Sequence, residues 1–180
     1  MHPQLQELHQ DHLNLAKVLR LLETLLADVR AGEHIDLDAL GEIVDYVQSY
    51  PDLIHHRRED IIFSVYLERS ASRNGLVDRL MGEHRLLLKK TREVREHIEQ
   101  WCHDSPVPRE RVVSIIADYL QMQWDHLNLE EGSVFDLLHE ELTPVDWERI
   151  EASMPLSTDP LFGNPMRQRF EHLFGRLLAS

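Results

Sequence analysis

The sequence predicts an all-α protein, an up-down-up-down four-helix bundle with a short helical C-terminal appendage. Apolar residues recur at helical spacing over four long segments, and turn-forming residues separate those segments at short intervals. No stretch alternates apolar and polar residues between Asn-Gly or Asp-Gly turns, as a β-hairpin would. With 180 residues, 42% hydrophobic and 28% charged, the chain is long enough for one domain with a sizeable core.

The first helix covers residues 4–30, with Leu5, Leu8, His12, Leu15, Leu19, Leu22 and Leu26 on one stripe, and stops at Gly32 in "AGEH". The second runs from about Asp38 to Leu67, and "RSASRNG" marks the turn after it. The third runs from about Leu76 to Trp101 and is ended by "HDSPVP"; the fourth starts near Pro108, a residue suited to a first helical turn, and reaches about Glu141. Long helices with short connections pack as antiparallel neighbours. The bundle takes residues 1–142 and a helical extension takes 143–180.

Within the extension, "LTPVDW" reads as a short helix, with Thr143 as N-cap, Pro144 at the first position and Asp146 closing a capping box. Asn164 and Pro165 open another. Trp147, Leu161, Phe162, Phe170 and Phe174 supply apolar surface to pack on the bundle or on a second subunit in a homodimer.

A net charge of −13 disfavours a nucleic-acid or anionic-membrane partner. The opening "MHPQLQELHQDH" has neither the basic stretch nor the apolar run of a signal peptide. No apolar run approaches the ~18 residues of a membrane span. Cys102 is the single cysteine, which excludes an internal disulfide and a thiolate-rich metal site. These features fit the reducing cytoplasm.

Twelve dispersed histidines are the anomaly. Residues of an antiparallel bundle rise ~1.5 Å each along their axes, so equal counts from a shared turn mean equal height. His12 lies 18 residues before Arg30, and His55 lies 18 after Leu37. His55 is 12 before Leu67, and His84 is 11 after Arg73. His84 is 19 before His103, and His126 is 18 after Pro108. His12, His55, His84 and His126 therefore stand at one level, one per helix. A lone histidine on an apolar stripe is usually a hydrogen-bonded core residue; four at one level point to metal.

Carboxylates follow at helical spacing. Glu59 is four residues after His55 and shares its face; His126 has Glu130 four on and Glu131 five on. Inward histidines and carboxylates in a bundle core are the makings of a dinuclear site, and this donor set suits iron or manganese better than zinc. Leu8, Leu15 and Leu19 around His12, and Leu80, Leu87 and Leu88 around His84, predict dry flanks, as do Tyr119 and Met122 beside His126. Such flanks favour a small neutral ligand. His9, three residues before His12, is a further ligand candidate, or sits behind the ligands or at the bundle mouth. His56 is expected behind the ligands or at the surface, pairing with Asp60, with Arg57 and Arg58 facing water and Pro51 kinking the helix before His55. His2, His34, His97, His103, His139 and His172 are expected at the surface.

"DHLNL", "YPDLIHHRREDIIF", "GEHRLL" and "HLNLEEGSVF", in that order, resemble the hemerythrin-like, HHE cation-binding family, and "LTPVDW" and "DPLFG" resemble its bacterial members. The resemblance implies a non-haem diiron centre, two iron ions with manganese or zinc as lesser alternatives. His12, His55, His84 and His126 become its ligands, with Glu59 and either Glu130 or Glu131 as bridging carboxylates. Spacing favours Glu130. Register favours Glu131, because Glu59 is four before Phe63 and Glu131 four before Phe135, and the five-residue step of oxygen-carrying hemerythrins also fits; Glu131 is preferred.

Oxygen-carrying members place a second histidine four residues before the helix-3 ligand, where this chain has Leu80. One imidazole fewer leaves more open or water-filled metal positions. The implied function is to bind or sense dioxygen or a related small oxidant, peroxide or nitric oxide. A diiron oxidase or peroxidase with the same ligands is the alternative, and an interaction bundle holding adventitious metal is a third.

Overall fold

Local chemistry sets the ends of the long helices. In the computed structural model, which describes residues 1–33, 36–69, 75–102, 108–163 and 168–179, helix α1 (Pro3–Ala31) starts with Pro3 in its first turn and Nδ1 of His2 accepting from the Gln4 amide. It stops at Gly32, whose φ of 78° places it in the left-handed region open to glycine. Helix α2 (Leu37–Ser49) is capped by Asp36, whose carboxylate accepts from the Ala39 amide at 2.9 Å.

Sequence periodicity reads one continuous second helix, but the structure interrupts it. Between α2 and α3 (His56–Arg69), residues Pro51–His55 form a wider turn in which the His55 amide donates to the Tyr50 carbonyl at 3.0 Å, five residues back. Pro51 has no N–H to give, and its ring would strike the carbonyl four residues earlier in a regular helix. The regular helix breaks at Tyr50, just before the proline, where φ is −122° and ψ −67°, and the wide turn follows. After α4 (Gly75–Cys102), the fourth long helix is divided likewise into α5 (Arg109–Leu129) and α6 (Phe135–Glu141). Residues Glu130–Val134 form the wide turn between them, where the Phe135 amide reaches back to the Glu130 carbonyl.

The four long segments pack as neighbours, α1 on α2 and α5, and α4 on α2, α3 and α5. Their core is split in two. One cluster gathers Leu15, Leu19, Leu22, Ile43, Val47, Val94 and Ile116; the other gathers Leu5, Leu8, Ile62, Phe63, Val77, Leu80 and Phe135. The layer between them is polar. Burying one such side chain is worth ~1.5–3 kcal/mol, so the two apolar halves hold the fold around a layer that adds little of that term.

The extension packs on the bundle at both ends. Helix α7 (Pro144–Ser153) has the capping box of Thr143 and Asp146, and buries Trp147 and Ile150 in the cluster of Phe63 and Phe135. Helix α8 (Glu171–Ala179) lies on α2 and α1, with Phe170 and Leu173 in the other cluster. The cap expected at Asn164 and Pro165 lies outside the described residues, as does the placement of His34 and His103. No strand occurs among the described residues, and none of their helices is long and apolar enough to cross a membrane.

Asp159 clamps the extension to α2. It accepts from the Tyr46 hydroxyl at 2.9 Å and from the amides of Leu161 and Phe162 at 2.8 and 3.0 Å. Asp159→Ala leaves these donors without an acceptor and is expected to cost ~1–3 kcal/mol, seen as a lower urea midpoint at unchanged slope.

Candidate metal centre

The polar layer holds two carboxylates with no exposure, Glu59 on α3 and Glu130 at the second wide turn. Around them stand His12 from α1, His55 at the end of the first wide turn, His56 at the start of α3, His84 from α4 and His126 from α5, all buried. Nε2 of His12 and Nε2 of His55 lie 2.9 Å apart, and Oε1 of Glu59 is 3.3 Å from the first and 3.2 Å from the second. The other oxygen of Glu59 lies 3.5 Å from Nε2 of His84. Glu130 repeats the arrangement in reverse. Its Oε2 is 3.4 Å from Nε2 of His12, while its Oε1 is 3.5 Å from that of His84 and 3.4 Å from that of His126. Each carboxylate thus spans the gap between two groups of imidazoles. Phe135 stacks on His12 at 5.2 Å between ring centres and Phe63 on His84 at 5.8 Å, closing one side with apolar surface.

Two ligand sets follow: His12, His55 and Glu59, and His56, Glu59, His84 and His126, in each of which one donor atom per residue lies within 4.8 Å of the others. Both oxygens of Glu59 and of Glu130, with Nε2 of His84 and of His126, are buried without a hydrogen-bond partner. Such orphans are costly unless a ligand takes them up. Imidazole nitrogens and carboxylate oxygens aimed at common points are what a transition-metal cation requires, so the residues fit a metal site.

The electrostatics agree. Burial pushes Glu59 up, yet His55 and His12 outweigh it and hold the carboxyl well below its usual range. Burial and the charge of Glu59 push Glu130 up, and His126, His12 and His84 bring it below its usual value. The imidazoles respond oppositely. Burial lowers His84, but hydrogen bonding to Asp60 and Glu130 and the charge of Glu59 raise it to about 10. His12 is held well above 6.5 against burial by Glu130, Glu131 and Glu59. His55 is raised by Glu59 and Asp11, again against burial. His56 differs: burial and then the charges of His84 and His126 hold it well below 6.5, so its ring stays neutral with a lone pair to offer. The layer attracts positive charge, as protons or as metal.

The family model of the hemerythrin HHE cation binding domain matches residues 4–138. The chain belongs to this family. Searches of curated proteins and of solved structures gave no match.

The HHE site has an outer ring of carboxylates as well. Nδ1 of His12 meets Glu131 at 2.6 Å, Nδ1 of His55 meets Asp11 at 3.1 Å, Nδ1 of His84 meets Asp60 at 2.7 Å and Nδ1 of His126 meets Glu83 at 3.0 Å. A carboxylate on the far nitrogen fixes the tautomer, orients the ring and strengthens the inward nitrogen as a donor.

The structure brings together His12, His55, Glu59, His84, His126 and Glu130. Glu131, the residue preferred from the sequence, stands outside the inner ring and joins Nδ1 of His12 to Nδ1 of half-exposed His9, the latter at 2.9 Å. The aromatic register failed because the wide turn inserts a residue between Glu130 and Phe135. His9 lies behind Glu131, not among the inner donors. His56, expected behind the ligands or at the surface, is buried, stacks on His84 at 4.3 Å between ring centres and joins the second set. It is the third imidazole beside Glu59 in that set. Asp60, its expected partner, serves His84 instead. Arg58 is buried too, paired with Glu7 and Asp11. The one available signal for His56 was Pro51, which marks a break in the regular helix; the wide turn that follows advances each residue by a smaller angle, so two adjacent histidines can both face inward. The expected dry flanks hold beside Phe63 and Phe135 but not beside His56, where Asp52, Thr91 and Gln123 are buried.

Glu130→Gln is expected to abolish metal retention through dialysis, whereas Glu131→Gln should weaken it by about 10–100-fold; metal content after dialysis separates the two. In metal-free protein the raised histidines contribute stability that is complete below 6.5 and lost as pH rises through about 10, the value for His84. The thermal midpoint of metal-free protein should therefore fall across that interval, and that of loaded protein, whose imidazoles hold cations instead, should not.

Proposed function

We propose that the chain holds a non-haem diiron centre and binds or senses dioxygen or a related small oxidant, peroxide or nitric oxide. The observation that carries this reading is the pair of spanning carboxylates. Glu59 offers one oxygen to His12 and His55 and the other to His84, and Glu130 offers one to His12 and the other to His84 and His126. Two carboxylates shared between two imidazole groups suit a pair of cations rather than one, and the donor types suit iron, with manganese or zinc as lesser alternatives. Iron, when bound, would supply a reversible change of oxidation state and an open coordination position.

The chain's own residues supply the rest. His12 and His55 form the poorer set, with two imidazoles against the three of His56, His84 and His126; the poorer side is where a small oxidant has room to bind. Phe135 against His12 excludes water there, and Asp11 and Glu131 hold the two rings in place from behind. A second reading, turnover as an oxidase or peroxidase, draws support from Tyr50. Its hydroxyl lies 3.3 Å from Asp11, the carboxylate behind His55, so an oxidisable phenol has a proton acceptor in contact.

Protein expressed without a nickel column is expected to carry about two iron ions per chain and to release protons on loading, read with a pH indicator dye, because raised imidazoles must give up their protons to bind metal. Fewer than about one tightly held ion per chain, unchanged by His126→Ala, would overturn the reading. Aerobic spectra of the loaded protein then choose between the two functions. A stable adduct supports binding; bleaching with peroxide consumption supports turnover.

A further inference from the structure

With the inner donors set aside, the remaining buried side-chain atoms without a hydrogen-bond partner among the described residues are both oxygens of Asp52, Nδ1 of His56, Oε1 of Gln123, and Nε of Arg58 and of Arg176. The first four belong to one side of the site. Asp52 lies on the wide turn four residues before His56, and its Oδ1 is 3.8 Å from Nδ1 of that ring. Behind it runs a buried chain of hydroxyl and amide groups. Gln123 donates to the Tyr119 hydroxyl at 2.8 Å, which meets Thr91 at 3.1 Å, and Thr91 stands beside Asp52.

The other four buried histidines each have a carboxylate on Nδ1, at 2.6–3.1 Å. Those four carboxylates reach solvent, with side-chain exposures from 13% for Asp11 to 40% for Asp60; that of Asp52 is 0%. A carboxylate buried without a hydrogen-bond partner is expensive unless it has a role, and the imidazole nearest it is the one without an outer partner.

We infer that Asp52 is a positioning residue for metal at the His56 side: it accepts a hydrogen bond from Nδ1–H of His56, directly or through one water, and so leaves the lone pair of Nε2 of that ring for the metal. The inference rests on the dinuclear reading above. The 3.8 Å separation exceeds a hydrogen bond, and closes by a small rotation of either side chain or by a bridging water. Thr91, Tyr119 and Gln123 hold the pocket polar, so Asp52 does not have to reach bulk water. Because it touches one imidazole of one set, Asp52 should matter for one of two ions.

The test is titration of metal-free protein with cobalt(II), followed by calorimetry and by visible absorption. Asp52→Leu should weaken one of the two ions by about 10–100-fold, change the absorption band of that ion and leave the other alone. Asp52→Asn keeps an oxygen acceptor and should restore most of the loss. In a His56→Ala background, Asp52→Leu should have no further effect, since its action passes through that ring. Two ions bound by Asp52→Leu with unchanged affinity and spectrum overturn the inference alone. So does equal weakening of both ions in Asp52→Leu and Asp52→Asn, which marks a merely structural role. Wild-type protein that takes up less than one ion overturns the dinuclear reading together with this one.

Discussion

Two carboxylates cut off from water, Glu59 and Glu130, determine the rest of the molecule. An uncompensated buried charge costs several kcal/mol, and here two like charges share one layer. The fold answers with five imidazoles from the four long segments of the bundle. In metal-free protein the carboxylates hold His12, His55 and His84 above their ordinary value, and the protons on these three rings supply positive charge. Metal cations take over that role on loading. Protons and metal therefore compete for one negative cavity, and the separation of the core into two apolar clusters is the geometric consequence of keeping that cavity in the middle.

The two wide turns give the layer its composition. A regular helix presents one residue per turn to a given line, so His55 with His56, or Glu130 with Glu131, would divide between the inside and the outside. Closing the hydrogen bond five residues back instead of four alters that division at the height of the site. In the first turn both histidines point inward. In the second, Glu130 enters the inner ring while Glu131 grips the opposite nitrogen of His12. Neighbours in sequence thus act on two sides of one ring.

The surroundings of the site are unequal, and this bears on function. Phe63 and Phe135 make one side dry, whereas Asp52, Thr91, Tyr119 and Gln123 make the His56 side polar without opening it to solvent. Burial pushes the Asp52 carboxyl up to about 7, with Thr91 pulling against it. Outside the inner ring, acidic residues at the edge of the bundle connect the imidazoles to solvent, Glu131 through His9 most directly.

Much of this was legible in the residues. Helical period, Gly32 and the capping box at Thr143 predict the helices and the bundle, because those signals are local or additive. Height counting on four antiparallel helices finds His12, His55, His84 and His126, and the i+4 rule finds Glu59 and Glu130. What the chain alone could not decide was rotation about the helix axis. The inward place of His56, the choice of Glu130 over Glu131 and the burial of Arg58 depend on one inserted residue in each of two helices. Pro51 marks the first of these in the sequence, and no proline marks the second. Helical spacing assumes a constant angle per residue; only the packed structure shows where that angle changes.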